Sequence, residues 1–189
     1  MTRDLFRSTL AETIALHQRV MDGDTAPLFA AVAAITSAVT ATGKVLLFGN
    51  GGSAADAQHV AAELVGRFAR ERRALAALAL TADTSVVTAV GNDYAYDRVF
   101  ARQVEALGAR GDVALGISTS GGSANVVAGL DAAGARGLTT VALTGCDGGA
   151  VGRAAAIHIN VPSSSTARVQ EVHRTLLHVI CDLVEQSVA

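Results

Sequence analysis

The stretch that decides the fold is KVLLFGNGGSAADAQHVAAEL, residues 44–64. It opens with the short unbroken apolar run VLLFG (45–49), turns through a glycine-rich segment, and continues from Ser53 with apolar residues at helical spacing. An unbroken rather than alternating apolar run suits a strand buried on both faces. The same kind of run recurs at LAALAL (75–80), DVALGIS (112–118), TTVALT (139–144) and AIHINV (156–161). Helical segments separate these runs, read at about 53–70, 83–90, 97–107, 122–135 and 147–154, with a last helix over about 166–187. Strand alternating with helix means a parallel sheet joined by crossover helices. We therefore read an α/β fold, a three-layer sandwich around a five-stranded parallel sheet.

Upstream of Lys44 the pattern is helical. Leu5, Leu10, Ile14 and Val20 recur among charged residues over 3–21, and an Ala- and Val-rich run covers 26–42 before Gly43 stops it. Residues 1–42 form an N-terminal helical hairpin whose apolar faces are expected to serve a subunit interface. With no linker or low-complexity segment, residues 1–189 are read as one domain, with 43–189 as the α/β core.

The 189 residues are enough to bury a real core, and 50% hydrophobic with 17% charged excludes disorder. Aromatics are 4% and Trp is absent, so that core is aliphatic. A net charge of -2 excludes a strongly basic nucleic-acid binder and supplies no polybasic membrane anchor. Cys146 and Cys181 form no CxxC pattern, no stretch has the ~18 to 20 apolar residues of a membrane span, and the first residues do not read as a leader. A cytoplasmic protein without nucleic-acid or membrane partners is expected.

In a parallel sheet of this kind ligands bind at the carboxyl ends of the strands. Three loops rich in small polar residues fall there. GNGGSAADAQH (49–59) follows a strand and opens a helix; Gly49, Gly51 and Gly52 allow close backbone approach and Ser53 can cap. STSGGS (118–123) brings the hydroxyls of Ser118, Thr119, Ser120 and Ser123 to a helix N-terminus, where free N–H groups and the helix dipole favour an anion. A cap needs one hydroxyl, and four suit a phosphate. VGNDYAYD (90–97) offers Asn92 and Asp93, either as ordinary turn residues or as partners for sugar hydroxyls.

Two helices carry the side chains with most chemical potential. His59 and Glu63 stand four apart, beside Asp56, on a face away from Ala57, Val60, Ala61, Leu64 and Phe68. Such a pair can grip a metal or form a solvated ion pair. On the last helix Val169, Val172, Leu176, Ile180 and Leu183 read as the core stripe, which leaves His178 opposite it and Gln170 about 80° from His178. Their eight-residue separation is about 12 Å of helix rise, so one ion reaches both only if the side chains lean together or the first turn loosens. Contribution from different subunits is the other geometry.

Taken together, GNGGSAADAQHVAAEL, VGNDY, GDVALGISTSGGSANV, ALTGCDGG and VPSSSTARVQEVHRTLLH resemble, in order and approximate spacing over nearly the whole chain, the phosphoheptose isomerases of the sugar-isomerase (SIS) superfamily. The resemblance implies a flavodoxin-like SIS fold, a homotetramer with sites at subunit interfaces, and one Zn²⁺ per subunit. It implies conversion of sedoheptulose 7-phosphate to D-glycero-D-manno-heptose 7-phosphate, on the way to activated (ADP/GDP-linked) heptoses. By the family pattern His59, Glu63, Gln170 and His178 match zinc ligands, and Glu63 and His178 also match the acid/base pair. Asn50, Gly51, Gly52 and Ser53 match one substrate loop, Asn92 and Asp93 another, and Ser118, Thr119, Ser120 and Ser123 the sugar-phosphate loop; Glu63 and Gln170 also face substrate. The chain departs from the pattern at Ala167, where some members have Asp, at Gly122, where Asn is commoner, and at Arg73, where many have Pro.

Aldose–ketose isomerisation moves a proton between C1 and C2 through an enediol. Glu63 is the candidate base, zinc would polarise the carbonyl, and an imidazole such as His178 suits proton relay near neutral pH. A zinc-bound carboxylate is a poorer base than a free one, so either Glu63 alternates between ligand and base or His178 is the principal base. Two other functions fit the same loops. One is a non-enzymatic SIS-fold adaptor that binds the bacterial replication initiator, whose relatives lack the full set of metal-ligand positions. The other is an isomerase of a different sugar phosphate, since nothing in the loops counts carbons.

Overall fold

A computed structural model describes residues 2–189. Two helices, α1 (Thr2–Met21) and α2 (Ala26–Thr40), lead into β1 (Val45–Gly49) and α3 (Gly52–Val65). Then come β2 (Ala77–Ala79), α4 (Thr84–Asp93), a 3₁₀ turn (Tyr96–Arg98), α5 (Val99–Leu107), β3 (Val113–Ser118) and α6 (Ala124–Ala135). The chain closes with β4 (Thr139–Thr144), α7 (Gly149–Arg153), β5 (Ile157–Asn160) and α8 (Thr166–Val188).

The five strands form one parallel sheet in the order β2-β1-β3-β4-β5. Every residue of β1 and β3 is buried, as their unbroken apolar runs require. Alternate residues feed two cores. Val45, Leu47, Val113, Leu115 and Ile117 face a layer made by α2, α3 and α8. Leu46, Phe48, Ala114 and Ala142 face α5, α6 and α7, where Phe48 stacks on Phe100 at 5.2 Å between centroids. Three layers and a five-stranded parallel sheet match the expectation.

Four local readings change. The helix from Gly52 ends at Val65 with Gly66 as its cap rather than running to 70, because residues 68–70 give their N–H groups to the Glu185 carboxylate. The second strand is only Ala77–Ala79, an edge strand paired on one side. Asn92 and Asp93 lie in the last turn of α4 rather than in a loop, since the cap of Asp83 on Val86 N–H starts that helix and nothing stops it before Tyr94. On α8 the buried set is Val169, Val172, His173, Leu177, Ile180, Cys181, Val184 and Glu185, with Leu176 and Leu183 half-buried. The stripe is thus rotated toward His173, because α8 packs against α2, α3 and α1 at once.

The hairpin divides in the same way. α2 gives Leu28, Ala31, Val32, Ile35, Ala38 and Val39 to the core of its own chain, so its apolar face is an intramolecular surface. α1 buries only Leu16 and leaves Leu5, Phe6, Leu10, Ile14 and Met21 exposed. Among the described residues no single helix is long and apolar enough to cross a membrane.

Candidate active site

From β1 the chain runs outward to β2 and then returns across the sheet to β3, so β1 and β3 are neighbours whose following loops diverge. This is the switch point where doubly wound sheets hold ligands. Gly51, at φ +56°, starts α3 in a conformation that side chains other than glycine rarely adopt. Asn50 ties the two loops together: its Nδ2 donates to Asn125 Oδ1 at 2.8 Å, and its Oδ1 accepts from Asn125 Nδ2 at 2.8 Å. Tyr96 Oη also donates to Asn50 Oδ1, at 3.2 Å. Ser53, just behind, is buried.

The 118–123 loop gathers hydroxyls at the start of α6. Ser118 is buried, its Oγ lies 2.9 Å from Ser123 Oγ and 3.5 Å from Ser120 Oγ, and Ser120 Oγ accepts from Gly122 N–H at 3.2 Å. Ser123 occupies the N-cap position, yet its side chain makes no capping bond. The loop is braced from behind by α7 and the turn before it: Val151 N–H donates to Gly121 O at 2.9 Å and Gly145 N–H to Ser118 O at 3.3 Å. Its backbone is therefore fixed independently of any ligand.

Beside these loops α3 and α8 face each other. The His59 and His178 rings meet through their Nε2 atoms at 2.8 Å, one ring donating and the other accepting. Glu63 Oε1 lies 3.5 Å from His59 Nε2, and the Phe68 ring lies tilted against His178, 5.5 Å between centroids. Gln170 lies on the first residue of α3, its amide occupying the space that a side chain at Gly52 would take. Gly52, Gln170, Arg174 and His178 line one open cleft of ≈ 570 Å³, together with Ala167. Asp56, buried, pairs with Arg174, and His173, also buried, donates from Nε2 to Thr144 O at 3.0 Å. Burial holds His173 below the usual imidazole range, against the opposing pull of that hydrogen bond and of Asp56.

The donors at the helix pair fit zinc in kind: two imidazole nitrogens and a carboxylate are its ordinary N and O ligands. Among the described residues, however, no three His, Cys, Asp or Glu side chains stand in a metal-binding arrangement. His59, Glu63 and His178 come together; Gln170 shares the cleft with His178 without hydrogen bonding to it. Asn92 and Asp93 remain exposed, Asn92 Nδ2 donating to Asp93 Oδ1 at 2.8 Å, and neither bonds to the two loops. Sequence reasoning assigned no role to Asn125, Tyr96 or Arg174 and read Phe68 only as part of the apolar face of α3. Asn125 alone carried a signal, as a polar residue at a helix start whose first-turn position faces inward.

Comparison with known proteins identifies the fold and the family. The SIS domain family matches residues 10–145, which defines the class as a sugar-isomerase domain. Curated phosphoheptose isomerases are similar over most of the chain. That of Aquifex aeolicus is 60% identical over 154 residues, 82% of this chain and 81% of its own. That of Geobacter sp. (strain M21) is 54% identical over 167 residues, 88% of this chain and 87% of its own. Among solved structures, the phosphoheptose isomerase of Neisseria gonorrhoeae superposes with a TM-score of 0.92 at 44% identity, covering 98% of this chain and 100% of that one. The one from Francisella tularensis gives 0.94 at 36% identity, covering 98% and 99%. The chain belongs to the phosphoheptose isomerases, a family of aldose–ketose isomerases built on the SIS domain.

Proposed function

We propose that the chain interconverts sedoheptulose 7-phosphate and D-glycero-D-manno-heptose 7-phosphate, in the supply of activated heptoses. The observation that carries this reading is one juxtaposition. A braced loop of four hydroxyls at a helix N-terminus follows β3, and the neighbouring strand β1 leads into α3, which carries a His–His–Glu cluster together with α8. The loop suits a phosphate through Ser118, Thr119, Ser120, Ser123 and the free N–H groups of α6. Asn50, tied to Asn125 where the two loops meet, then faces the sugar, with Ser53 buried behind it. The names of the relatives supply the carbon count, which no residue here does.

Glu63 takes a proton from C1 of the bound ketose; the electron pair forms the C1=C2 bond, and the C2 carbonyl oxygen takes a proton from His178. Glu63 returns its proton to C2 while His178 recovers one from O1, leaving an aldehyde at C1. No atom is gained or lost and no external redox partner is needed. His59, Glu63 and His178, with Gln170 from the same cleft, would hold one Zn²⁺ per subunit. Bound there, the ion supplies a positive charge that stabilises the developing oxyanion.

In the same reading the enzyme is a cytoplasmic homotetramer without nucleic-acid or membrane partners. Support for assembly comes from the row of exposed apolar side chains on α1, and for a reducing compartment from two unpaired thiols, Cys146 and Cys181. Replacing Phe6 and Ile14 with Ser should lower the mass measured by sedimentation.

The test is to incubate the protein with sedoheptulose 7-phosphate, with and without chelator, and follow the product by NMR. Expected is an aldose 7-phosphate whose formation stops with chelator and returns with Zn²⁺. A binding-only adaptor would give no turnover in either arm. Turnover of a different ketose phosphate in its place would keep the reaction and change the substrate.

A further inference from the structure

The segment between α3 and β2, residues 66–76, has no regular structure. It is nonetheless fastened by a buried pair that the chemistry above does not use. Glu185 lies near the end of α8, two turns beyond His178, and is 1% exposed. An isolated buried carboxylate is costly unless it is paired and hydrogen-bonded. Its oxygens accept from the N–H groups of Phe68 at 2.9 Å, Ala69 at 2.8 Å and Arg70 at 2.7 Å, and face Arg72 Nε at 3.3 Å.

Arg72, whose side chain is 2% exposed, turns its other nitrogens onto the end of α3. Nη2 donates to Glu63 O at 2.7 Å; Nη1 donates to Leu64 O at 2.9 Å and Gly66 O at 3.0 Å. These are carbonyls that a helix terminus leaves without internal partners. The pair therefore has two outputs. One fixes the main chain of Glu63. The other fixes the backbone that carries Phe68, whose ring lies against His178.

We infer that Glu185 and Arg72 are positioning residues for the Glu63/His178 pair, setting through one buried clamp both the main chain of Glu63 and the Phe68 ring beside His178. This rests on the isomerase reading of that site. A clamp that served stability alone would lower the melting temperature and leave the geometry around His178 unchanged in the folded protein. A positioning clamp alters that geometry. Displacement of reacting groups by about 1 Å is enough to cost large factors in rate.

The experiment uses the full-length protein with Glu185→Gln and Phe68→Leu, separately and combined. Glu185→Gln keeps the volume and one acceptor oxygen but turns an amide toward N–H donors and removes the charge opposite Arg72. Phe68→Leu removes the ring and leaves the clamp whole. Two readouts are taken where circular dichroism shows each variant folded. They are kcat and KM with sedoheptulose 7-phosphate, and the His178 ring C–H resonance in histidine-labelled protein, assigned by its loss in His178→Gln. Expected is a kcat lower by about 10-fold or more in each single variant, with KM within about twofold. The His178 resonance moves in both as the aromatic ring is displaced or lost. The combined variant is no slower than Glu185→Gln alone, because the ring contact that Phe68→Leu removes is already displaced there.

A folded Glu185→Gln protein with wild-type kcat and an unmoved His178 resonance overturns the inference. If Glu185→Gln does not fold, Phe68→Leu decides, and wild-type kcat there overturns it. If wild-type protein fails to turn over the heptulose phosphate, the isomerase reading falls. The resonance, which needs no substrate, still reports whether the clamp sets the ring beside His178.

Discussion

The hydroxyl loop at the β1/β3 junction and the histidine pair between α3 and α8 make polar sites by opposite means. The loop is local: Ser118, Thr119, Ser120 and Ser123 lie within six consecutive residues, and a strand end plus a helix start aims them together. The helix pair is distant, His59 and His178 being 119 residues apart in sequence and meeting only because two helices pack on one face of the sheet. Binding a charged group needs several donors of ordinary strength, which a turn can supply. Moving a proton needs two groups at a set separation, which requires rigid elements on both sides.

Substitution should therefore separate the two regions. The largest effect is expected at the helix pair. Glu63→Gln keeps size and an oxygen but removes the basic carboxylate, so kcat should fall by about 10²-fold or more with KM little changed. Steady-state kinetics at saturating substrate check this, and a near wild-type kcat would assign the base elsewhere.

The reverse split is expected at the loop. A charge-assisted hydrogen bond contributes about 1.5–3 kcal/mol, and the N–H groups of α6 remain to hold a phosphate, so replacing Ser118, Thr119 and Ser120 with Ala should raise KM by about tenfold or more while kcat changes less. An unchanged KM would remove the phosphate assignment.

Gly52 joins the regions, since a side chain there would displace the Gln170 amide. Gly52→Ala should cost about 1–3 kcal/mol as an overpacked contact, read as a lower melting temperature, and should lower kcat as well. If only stability changes, Gln170 packs the helix start and does not serve the cleft.

The smallest effect is expected at the opposite end of the sheet, where Asp112 accepts from Lys44 N–H at 2.9 Å, Lys44 Nζ at 2.6 Å and Ala109 N–H at 2.8 Å. Burial pushes this carboxyl up, but its hydrogen bonds to Lys44 and Ala109 together hold it below the usual carboxylate range. A depressed folded-state pKa means the stabilisation is present above the unfolded carboxylate's pKa and is lost as pH falls through the folded one. Asp112→Asn should cost about 1 kcal/mol at neutral pH, less in acid, with kcat unchanged. Thermal melts across pH 3–7 test the sign.

The strands and the order of layers were readable because a buried parallel strand must be apolar at every position, a pattern that needs no knowledge of neighbours. The hydroxyl loop was readable for a similar reason. The last helix was not, because α8 is covered on several sides. His173 is buried by α8's packing and satisfied by Thr144 O, while half-buried Leu176 sits nearer the surface than its type suggests. The end of α3 was missed because its stop signal, the Glu185 carboxylate, is more than a hundred residues away. The hairpin was half legible: its helices were plain, but only packing separates α2, which belongs to the core, from α1, which keeps an apolar face outside it.

The sequence by itself determined the sheet, the glycine- and serine-rich loops that follow β1 and β3, and the residue types on the facing helices, because each depends on the period of a short segment or on turn chemistry. Only the tertiary structure decided that Asn50 pairs with Asn125, that Gln170 rests on Gly52 and that His59 meets His178 beside Glu63 and Phe68. Those contacts cross between elements far apart along the chain. Their geometry follows from how α3 packs over β1 and β3 and α8 packs against α3 and β4, and no spacing within a single segment encodes it.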